Sequence, residues 1–327
     1  MKSKNTKLPQ VMLLGLIFLS FLGLTIPSHA QANESFLMRD GVVIDANRNQ
    51  IIITTPQKKV EAIAIATGRT TWRSQTEAKA LAILNNTLIC QASSANSPER
   101  VVIKRLNLRR SGAVISSESI QLPKEVVATL TQTLNDSFDV KARVNNNQLF
   151  FSWDFQKRNL KGLREDNTNN QESSGIVKTS GAFRLGNRGR LSTIEKSQIP
   201  SNGSQSIIPS ATQRIANVDG RQFISRDRKY ILVSKKIASD EVFKKYSWEI
   251  YNARTQQKIG GITSYKSYAP FYVNNNILVF ETGLYTRNID NRITSTPLQI
   301  SAVNLQTGTV LWSIEILDSI YRGPTPP

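Results

Sequence analysis

The sequence predicts an all-β fold built from a repeated unit, and three observations carry that reading. A segment is written twice, at residues 62–72 (AIAIATGRTTW) and 302–312 (AVNLQTGTVLW), 240 positions apart. Short runs of β-branched and aliphatic residues recur along the chain, mostly bounded by Asn, Gly, Pro or Ser. Only one stretch carries a helical period. Self-similarity at a distance marks a repeat architecture, in which each unit buries its apolar faces against its neighbours.

The strands are read in order. Residues 41–45, 50–55, 60–66, 80–84, 88–92, 101–107 and 113–117 are brief aliphatic or β-branched runs. The same texture returns at 149–153, 230–233, 248–252, 268–273, 277–280 and 298–305. Asn145-Asn146-Asn147 and Asn274-Asn275-Asn276 each precede such a run and read as hairpin turns, since Asn tolerates the left-handed region. The one helix spans 123–134, with Pro123 in its first turn and Val126, Val127, Leu130 and Leu134 on one face. It is expected to pack on a sheet edge.

Residues 1–30 read as a secretory signal peptide outside the fold. Lys2, Lys4 and Lys7 make a basic start, 11–26 is a nearly unbroken apolar run, and Pro27-Ser28-His29-Ala30 places small residues for cleavage after Ala30. That run is short for a membrane span of about twenty residues. No Cys directly follows it to accept a lipid, and no later segment is long and apolar enough to span a bilayer. Residues 31–327 are then one domain, with polar loop insertions near 161–181 and 197–213 that lack the apolar content to pack.

Removing the leader removes His29, the only histidine. The rest of the chain has no imidazole for a Ser-His-Asp or Cys-His arrangement or for a His-ligated metal, which excludes much hydrolase chemistry. Cys90, the single cysteine, cannot form an intramolecular bridge and reads as a small buried strand residue. Asp45-Ala46-Asn47-Arg48-Asn49 opens like a calcium loop but lacks its Gly and closing Glu, so it reads as a turn. Lys and Arg number 42 against 24 Asp and Glu, and residues 100–245 alone hold 26 basic against 13 acidic. The middle of the chain is its cationic part.

The doubled segment has a physical logic. Thr-Gly makes a tight turn between a third and a fourth antiparallel strand, because Gly takes the positive φ that a short hairpin needs. Trp then lies on the outer strand, where its ring covers the junction between units and its N–H finds a backbone carbonyl. Weaker copies follow the same plan: Asn252 and Thr255 with Gly260 in the Trp position, 106–108 followed by Ser111-Gly112 with one extra residue, and Arg184-Leu185 followed by Arg188-Gly189. The turn centres near 67, 112, 188, 255 and 307 count five units. Two of the intervals exceed the roughly 40–50 residues of a compact blade, so insertions or a sixth or seventh unit must fill them.

The pattern Ala-x-Asp/Asn-x-x-Thr-Gly-x-x-x-Trp resembles the tryptophan-docking repeat of the quinoprotein-like β-propellers, the family named for pyrroloquinoline quinone (PQQ). Ala302, Asn304, Thr307, Gly308 and Trp312 match throughout, as do Ala62, Thr67, Gly68 and Trp72, with Ala64 in place of Asp or Asn. The resemblance implies a propeller of four-stranded antiparallel blades in which these residues lock blades together. It extends to fold and not to catalysis. The family's dehydrogenases are much longer, the adjacent cysteines of many of them are impossible with Cys90 alone, and no counterpart of their catalytic Asp and calcium ligands is found.

The expected function is that of an exported, periplasmic or secreted, non-catalytic propeller, a monomeric protein-interaction scaffold of the cell envelope. That role is similar to that of the PQQ-repeat propeller serving bacterial outer-membrane β-barrel assembly. No catalytic residue, metal or cofactor is expected. The alternative is a polyanion-binding module for glycopolymer or lipid headgroups. Lys104, Arg105, Arg109, Arg110, Lys157, Arg158, Lys161, Arg226, Arg228, Lys229, Lys235 and Lys236 would line one rim for it. Nucleic acid is a poor partner, because aromatics are not interleaved with these clusters. A diverged enzyme with a carboxylate-based site is the third reading.

Overall fold

The computed structural model describes residues 35–92, 99–124, 127, 140–146, 148–158, 176–186, 189–200, 214–225, 227–238, 244–283, 285–289 and 292–317, with only the backbone for 155–158, 176–179 and 285–296. The chain begins with β1 (Ser35–Arg39), β2 (Val42–Asp45), β3 (Gln50–Thr54), β4 (Lys59–Ala64), β5 (Thr70–Leu84), β6 (Thr87–Ala92), β7 (Arg100–Asn107) and β8 (Ala113–Gln121). These eight pair in sequence order, each antiparallel to the next. The long β5 belongs to two units. Its first half pairs with β4 at Glu61↔Arg73 and Ala62↔Trp72, and from Ala78 onward it pairs with β6. Blade 1 is therefore β2 to the first half of β5, preceded by β1, and blade 2 is the second half of β5 to β8.

Blade 3 contains β9 (Lys141–Asn145), β10 (Gln148–Arg158), β11 (Ile176–Leu185) and β12 (Leu191–Ile194). Blade 4 contains β13 (Arg221–Ile224), β14 (Tyr230–Ile237), β15 (Lys245–Asn252) and β16 (Lys258–Ser264). Blade 5 starts with β17 (Phe271–Asn274) and β18 (Ile277–Thr282), carries the hairpin β19 (Tyr285–Ile289) and β20 (Arg292–Thr296), and finishes with β21 (Gln299–Asn304) and β22 (Val310–Glu315). Among the described residues the strands thus make five four-stranded antiparallel blades, and the fold is a β-propeller.

Part of the predicted loop 161–181 is strand. Ile176 to Gly181 belong to β11, where Ile176 opposes Arg158 and Gly181 opposes Trp153. The β-branched start of this strand was obscured by the polar residues around it, and its pairing comes from the long β10 beside it. Residues 161–175 of that loop and 201–213 of the second lie outside the described residues. So does most of the expected helix: only Lys124 and Val127 are described within 124–139, both helical, with Val127 against the core shared by blades 2 and 3.

The cores lie between blades. The run Ile51-Ile52-Ile53 shows why it contains no polar residue. Pleating sends alternate side chains to opposite faces, so Ile51 and Ile53 meet Val279 and Ile300 of blade 5, while Ile52 meets Leu88 and Leu106 of blade 2. Phe151 and Phe183 of blade 3 join Ile89 and Ile103 of blade 2, and Trp248 of blade 4 joins Phe280 and Val303 of blade 5. The opposite face of blade 4, with Ile231, Val233 and Tyr251, is covered by Ile215 and Val218 from its own lead-in. Blade 5 closes on blade 1 through Glu281, which binds Arg39 at 3.0 Å and Lys266 at 2.7 Å, and through Leu317 N–H, which donates to the Thr54 carbonyl at 2.8 Å.

Candidate functional site

The repeated turn is associated with a docking residue in blades 1, 2 and 5. Asn304 Oδ1 accepts from the N–H of Gln306 and Thr307 at 2.9 and 3.3 Å, and Asn252 does the same for Arg254 and Thr255 at 2.9 and 3.0 Å. Gly68 and Gly308 sit at φ 68° and 69°, as the sequence requires of them. One strand step later the pairing shifts by a residue, after Ala62↔Trp72, Ala302↔Trp312 and Ile250↔Gly260 alike. Such a bulge re-aims the outer-strand side chain, here toward the next blade.

The docking position is filled differently at four of the junctions. Trp312 lies over Gly68, where an added Cβ would come within 2.5 Å of its Cγ, and its indole N–H donates to the Ile65 carbonyl at 2.8 Å. Trp72 lies over Gly112 with the six-membered part of its ring, 2.6 Å from a would-be Cβ, and its N–H is buried without a hydrogen-bond partner. Blade 2 exchanges the two sizes. Its register pair is Arg105↔Ser116, and the Arg105 guanidinium, from the third strand, stands over Gly189 of blade 3, 2.7 Å from a would-be Cβ. Arg105 is therefore a junction residue and does not belong to an open rim, a role hidden in the sequence because the large residue changed strands.

Blade 4 leaves its slot empty. Gly260 carries no side chain, and its backbone packs against the Leu305 carbonyl so closely that a Cβ would lie 1.9 Å from the oxygen. At Gly308 a Cβ would meet only the Gly261 carbonyl, at 3.9 Å. The neighbouring register positions are also small. Where blade 1 sets Glu61 against Arg73 at 2.6 Å and pairs Ile63 with Thr70, blade 5 sets Ser301 against Ser313 at 2.7 Å and pairs Val303 with Val310.

The result is an open groove of about 720 Å³ between blades 4 and 5, lined among others by Gly261, Ser264, Phe280, Ser301, Val303 and Val310. This volume is in the range of ligand pockets, roughly 300–1,000 Å³. Val310 beside it is 64 % exposed and Leu311 41 %.

Several polar groups of the groove are engaged with one another or with side chains beside it. Thr282, Ser301 and Ser313 form a chain of hydroxyls, with Thr282 to Ser301 at 2.8 Å. Glu249 binds Lys258 and accepts from the Tyr251 hydroxyl at 2.8 Å. The Lys258 hydrogen bond holds the Glu249 carboxyl below its ordinary range, while burial and then Glu249 push the Tyr251 phenol up to about 12. At neutral pH Glu249 is an anion and Tyr251 a neutral phenol, so neither is poised for proton transfer. The groove does not fit calcium: the ion takes six to eight oxygen ligands, and the one carboxylate lining the groove is already held by Lys258. Among the described residues no three His, Cys, Asp or Glu side chains group to hold a metal.

The expected basic rim is divided between the two ends of the propeller. In a blade, the first-to-second and third-to-fourth turns share an end, and backbone bonds join them: Ile65 to Asn49 at 3.1 Å, Leu108 to Asn86 at 3.1 Å, Ala253 to Lys229 at 2.9 Å and Leu305 to Asn276 at 2.8 Å. Arg109, Arg110, Arg228 and Lys229 are exposed at this end, and so are Arg69, Arg190 and Arg254, which sequence reasoning did not select. A scan by turn rather than by charge run would have found those three. Lys235 and Lys236 are exposed near the far end of β14, and Lys157 and Arg158 lie at the far end of β10. Lys104 is half-buried in mid-strand on β7, and Lys161 and Arg226 lie outside the described residues. Cys90 is fully buried on β6, as expected.

No family model and no curated protein sequence matches the chain. Similar solved structures include BamB from Moraxella catarrhalis, at 14 % identity and a TM-score of 0.27, covering 84 % of this chain and 63 % of that one. The Dos1 propeller is similar at 6 % identity and a TM-score of 0.25, with 82 % and 56 % covered. A Synechocystis apocarotenoid oxygenase variant is similar at 7 % identity and 0.26, with 82 % and 57 % covered. The chain spans about three fifths of the length of each. The propeller assignment rests on the chain's own blades and junctions. Among the described residues no helix is long and apolar enough to cross a membrane.

Proposed function

We propose that the protein is an exported, non-catalytic propeller of the PQQ-repeat type that serves as a protein-interaction platform of the cell envelope, with the groove between blades 4 and 5 as its docking site. The observation that carries this reading is the groove itself: a junction left open, floored by Phe280 and Val303 and flanked by exposed Val310 and Leu311. An apolar floor with a polar rim suits a protein segment. The leader-like residues 1–30 support export, and the doubled docking repeat supports the family. A photo-crosslinking residue at Thr263 in the groove should capture one defined envelope protein, and the same residue at Val114 on blade 2 should not. Equal capture at both positions sinks the docking site.

A second reading is favoured by the exposed Arg69, Arg109, Arg110, Arg190, Arg228 and Arg254 at the turn end of the blades. The carboxylates of those turns are Asp45, paired with Arg48 at 2.8 Å, and Asp227, which accepts from Ser225. Such an end attracts polyanions, with a strength that falls as salt screens it. Retention on an anionic polymer that is lost between low and physiological salt, and lost equally on neutralising Arg109 and Arg110, supports it; retention unaffected by either removes it.

A further inference from the structure

We propose that the groove between blades 4 and 5 is a receptor for an indole, the side chain of a tryptophan presented by a partner protein. The inference rests on the docking reading above and names what docks. Its warrant is internal to the molecule. The fold builds a comparable slot at the third-to-fourth turn of several blades, and at two of them the occupant is a Trp: Trp312 covers the Thr67-Gly68 turn, and Trp72 covers the Ser111-Gly112 turn. In blade 5 the turn is made by Thr307 and Gly308 at nearly the φ of Gly68, with the same bulge after Ala302 as after Ala62, and Asn304 adds a side-chain acceptor that Ala64 cannot, so the slot is built. What is missing is the ring, because the register position that delivers it is Gly260.

The chain has closed this space only in part, where the Gly260 backbone packs on the Leu305 carbonyl, and has left the face of Gly308 open. The pairs beside the slot have become smaller, from Glu61–Arg73 to Ser301–Ser313, and a Cβ on Gly308 would find its first neighbour at 3.9 Å, where the one on Gly68 finds an indole at 2.5 Å. Phe280 and Val303 offer the ring an apolar floor, Val310 a wall, and the bare backbone at Gly261 and Gly308 allows it to lie flat. The indole N–H has hydroxyl oxygens within the groove at Ser264, Thr282 and Ser301. The Leu305 carbonyl, the counterpart of the Ile65 acceptor, is covered by Gly260, so the incoming indole must use these hydroxyls instead.

The probe is N-acetyl-L-tryptophanamide, titrated into the full chain with methyl-labelled Ile and Val, and N-acetyl-L-leucinamide is the control. Saturable shifts are expected at Ile262, Val303 and Val310 with the tryptophan amide, and at least tenfold weaker binding with the leucine amide. Gly308→Asn keeps a residue that tolerates left-handed backbone and places a side chain in the slot; it should weaken tryptophan amide binding tenfold or more while leaving the thermal midpoint near that of the parent. Val310→Glu, at an exposed position, provides a second block that does not threaten the fold. Shifts spread over other blades, equal binding of the two amides, or binding undiminished in both variants overturns the proposal. If the Thr263 crosslinker still captures its partner while the tryptophan amide does not bind, the indole is wrong and the docking site stands. If both fail, both readings fall.

Discussion

Trp312 donates its indole N–H to the carbonyl of Ile65, 247 positions earlier, at 2.8 Å. The two residues stand in the last and first blades, so this bond is part of what closes blade 5 onto blade 1. Its geometry is prepared by the turn below it, where Gly68 gives up a side chain so that the ring can rest on backbone. The same turn appears in blade 5 with nothing resting on it. Closure at one junction and access at another thus come from one motif, with Trp in one copy and Gly in the other.

Replacing Trp312 by Ala should destabilise the protein by about 3 kcal/mol, through lost ring burial and a lost bond. Trp312→Phe keeps an aromatic ring and should lose about 1 kcal/mol. Gly68→Ala meets both the positive φ and the ring, and should cost less in the Trp312→Ala background than in the parent. Urea unfolding of the double-mutant cycle measures that coupling, and strictly additive effects would contradict the contact.

Gly260→Ala should destabilise by about 1–3 kcal/mol, the usual consequence of overpacking, since its Cβ would lie 1.9 Å from the Leu305 carbonyl oxygen. Restoring the repeat's Trp at this position should be worse still. Thermal denaturation of Gly260→Ala and Gly260→Trp checks the order.

Arg105→Ala should lower the thermal midpoint, because the guanidinium supports the junction at Gly189. Retention on an anionic polymer should not change. Arg109 and Arg110 are exposed on the turn, and replacing both with Ala should do the reverse, weakening retention at low salt with the midpoint unmoved.

The Glu249–Tyr251 pair gives opposite signs at the two ends of the pH scale. Glu249 has its carboxyl lowered from 4.5, so its stabilising contribution is present above that value and is lost as the pH falls through the depressed one. The difference between the parent and Glu249→Gln should therefore close in acid. Tyr251 is raised from 10 to about 12, so stability is intact below pH 10 and declines toward pH 12, as the unfolded chain releases its proton first. Spectrophotometric titration should find a phenol near 12 that moves down in Glu249→Gln yet stays above 10, because burial remains.

How far the fold could be read in advance depended on where a strand sits in its blade. The inner and middle strands β2, β3, β6 and β18 read as apolar runs because packed neighbours cover most of their side chains. The outer strands announce themselves poorly. β12 (LSTI), β16 (KIGGITS) and β22 (VLWSIE) bear one covered face at most, so their composition drifts toward polar residues and glycine. The first half of β5 is absent from the apolar runs for the same reason, and only the docking motif placed Trp72 on an outer strand. Charge runs misled in another way: Lys235-Lys236 and Arg228-Lys229 are neighbours in sequence, but β14 carries them to opposite ends of the blade.

By itself the sequence determined the local events: a Thr-Gly turn at positive φ, a Trp four residues later, an all-β chain with a single buried thiol and no histidine beyond residue 29. These depend on a residue's own backbone and its near neighbours, so a linear reading reaches them. Only the tertiary structure decided which carbonyl receives Trp312, that Arg105 serves where another blade uses Trp, and that Gly260 leaves a groove open. Each of these pairs a side chain with a blade 45 to 247 positions away, and whether a slot is filled or empty is a property of two surfaces that meet only when the blades pack.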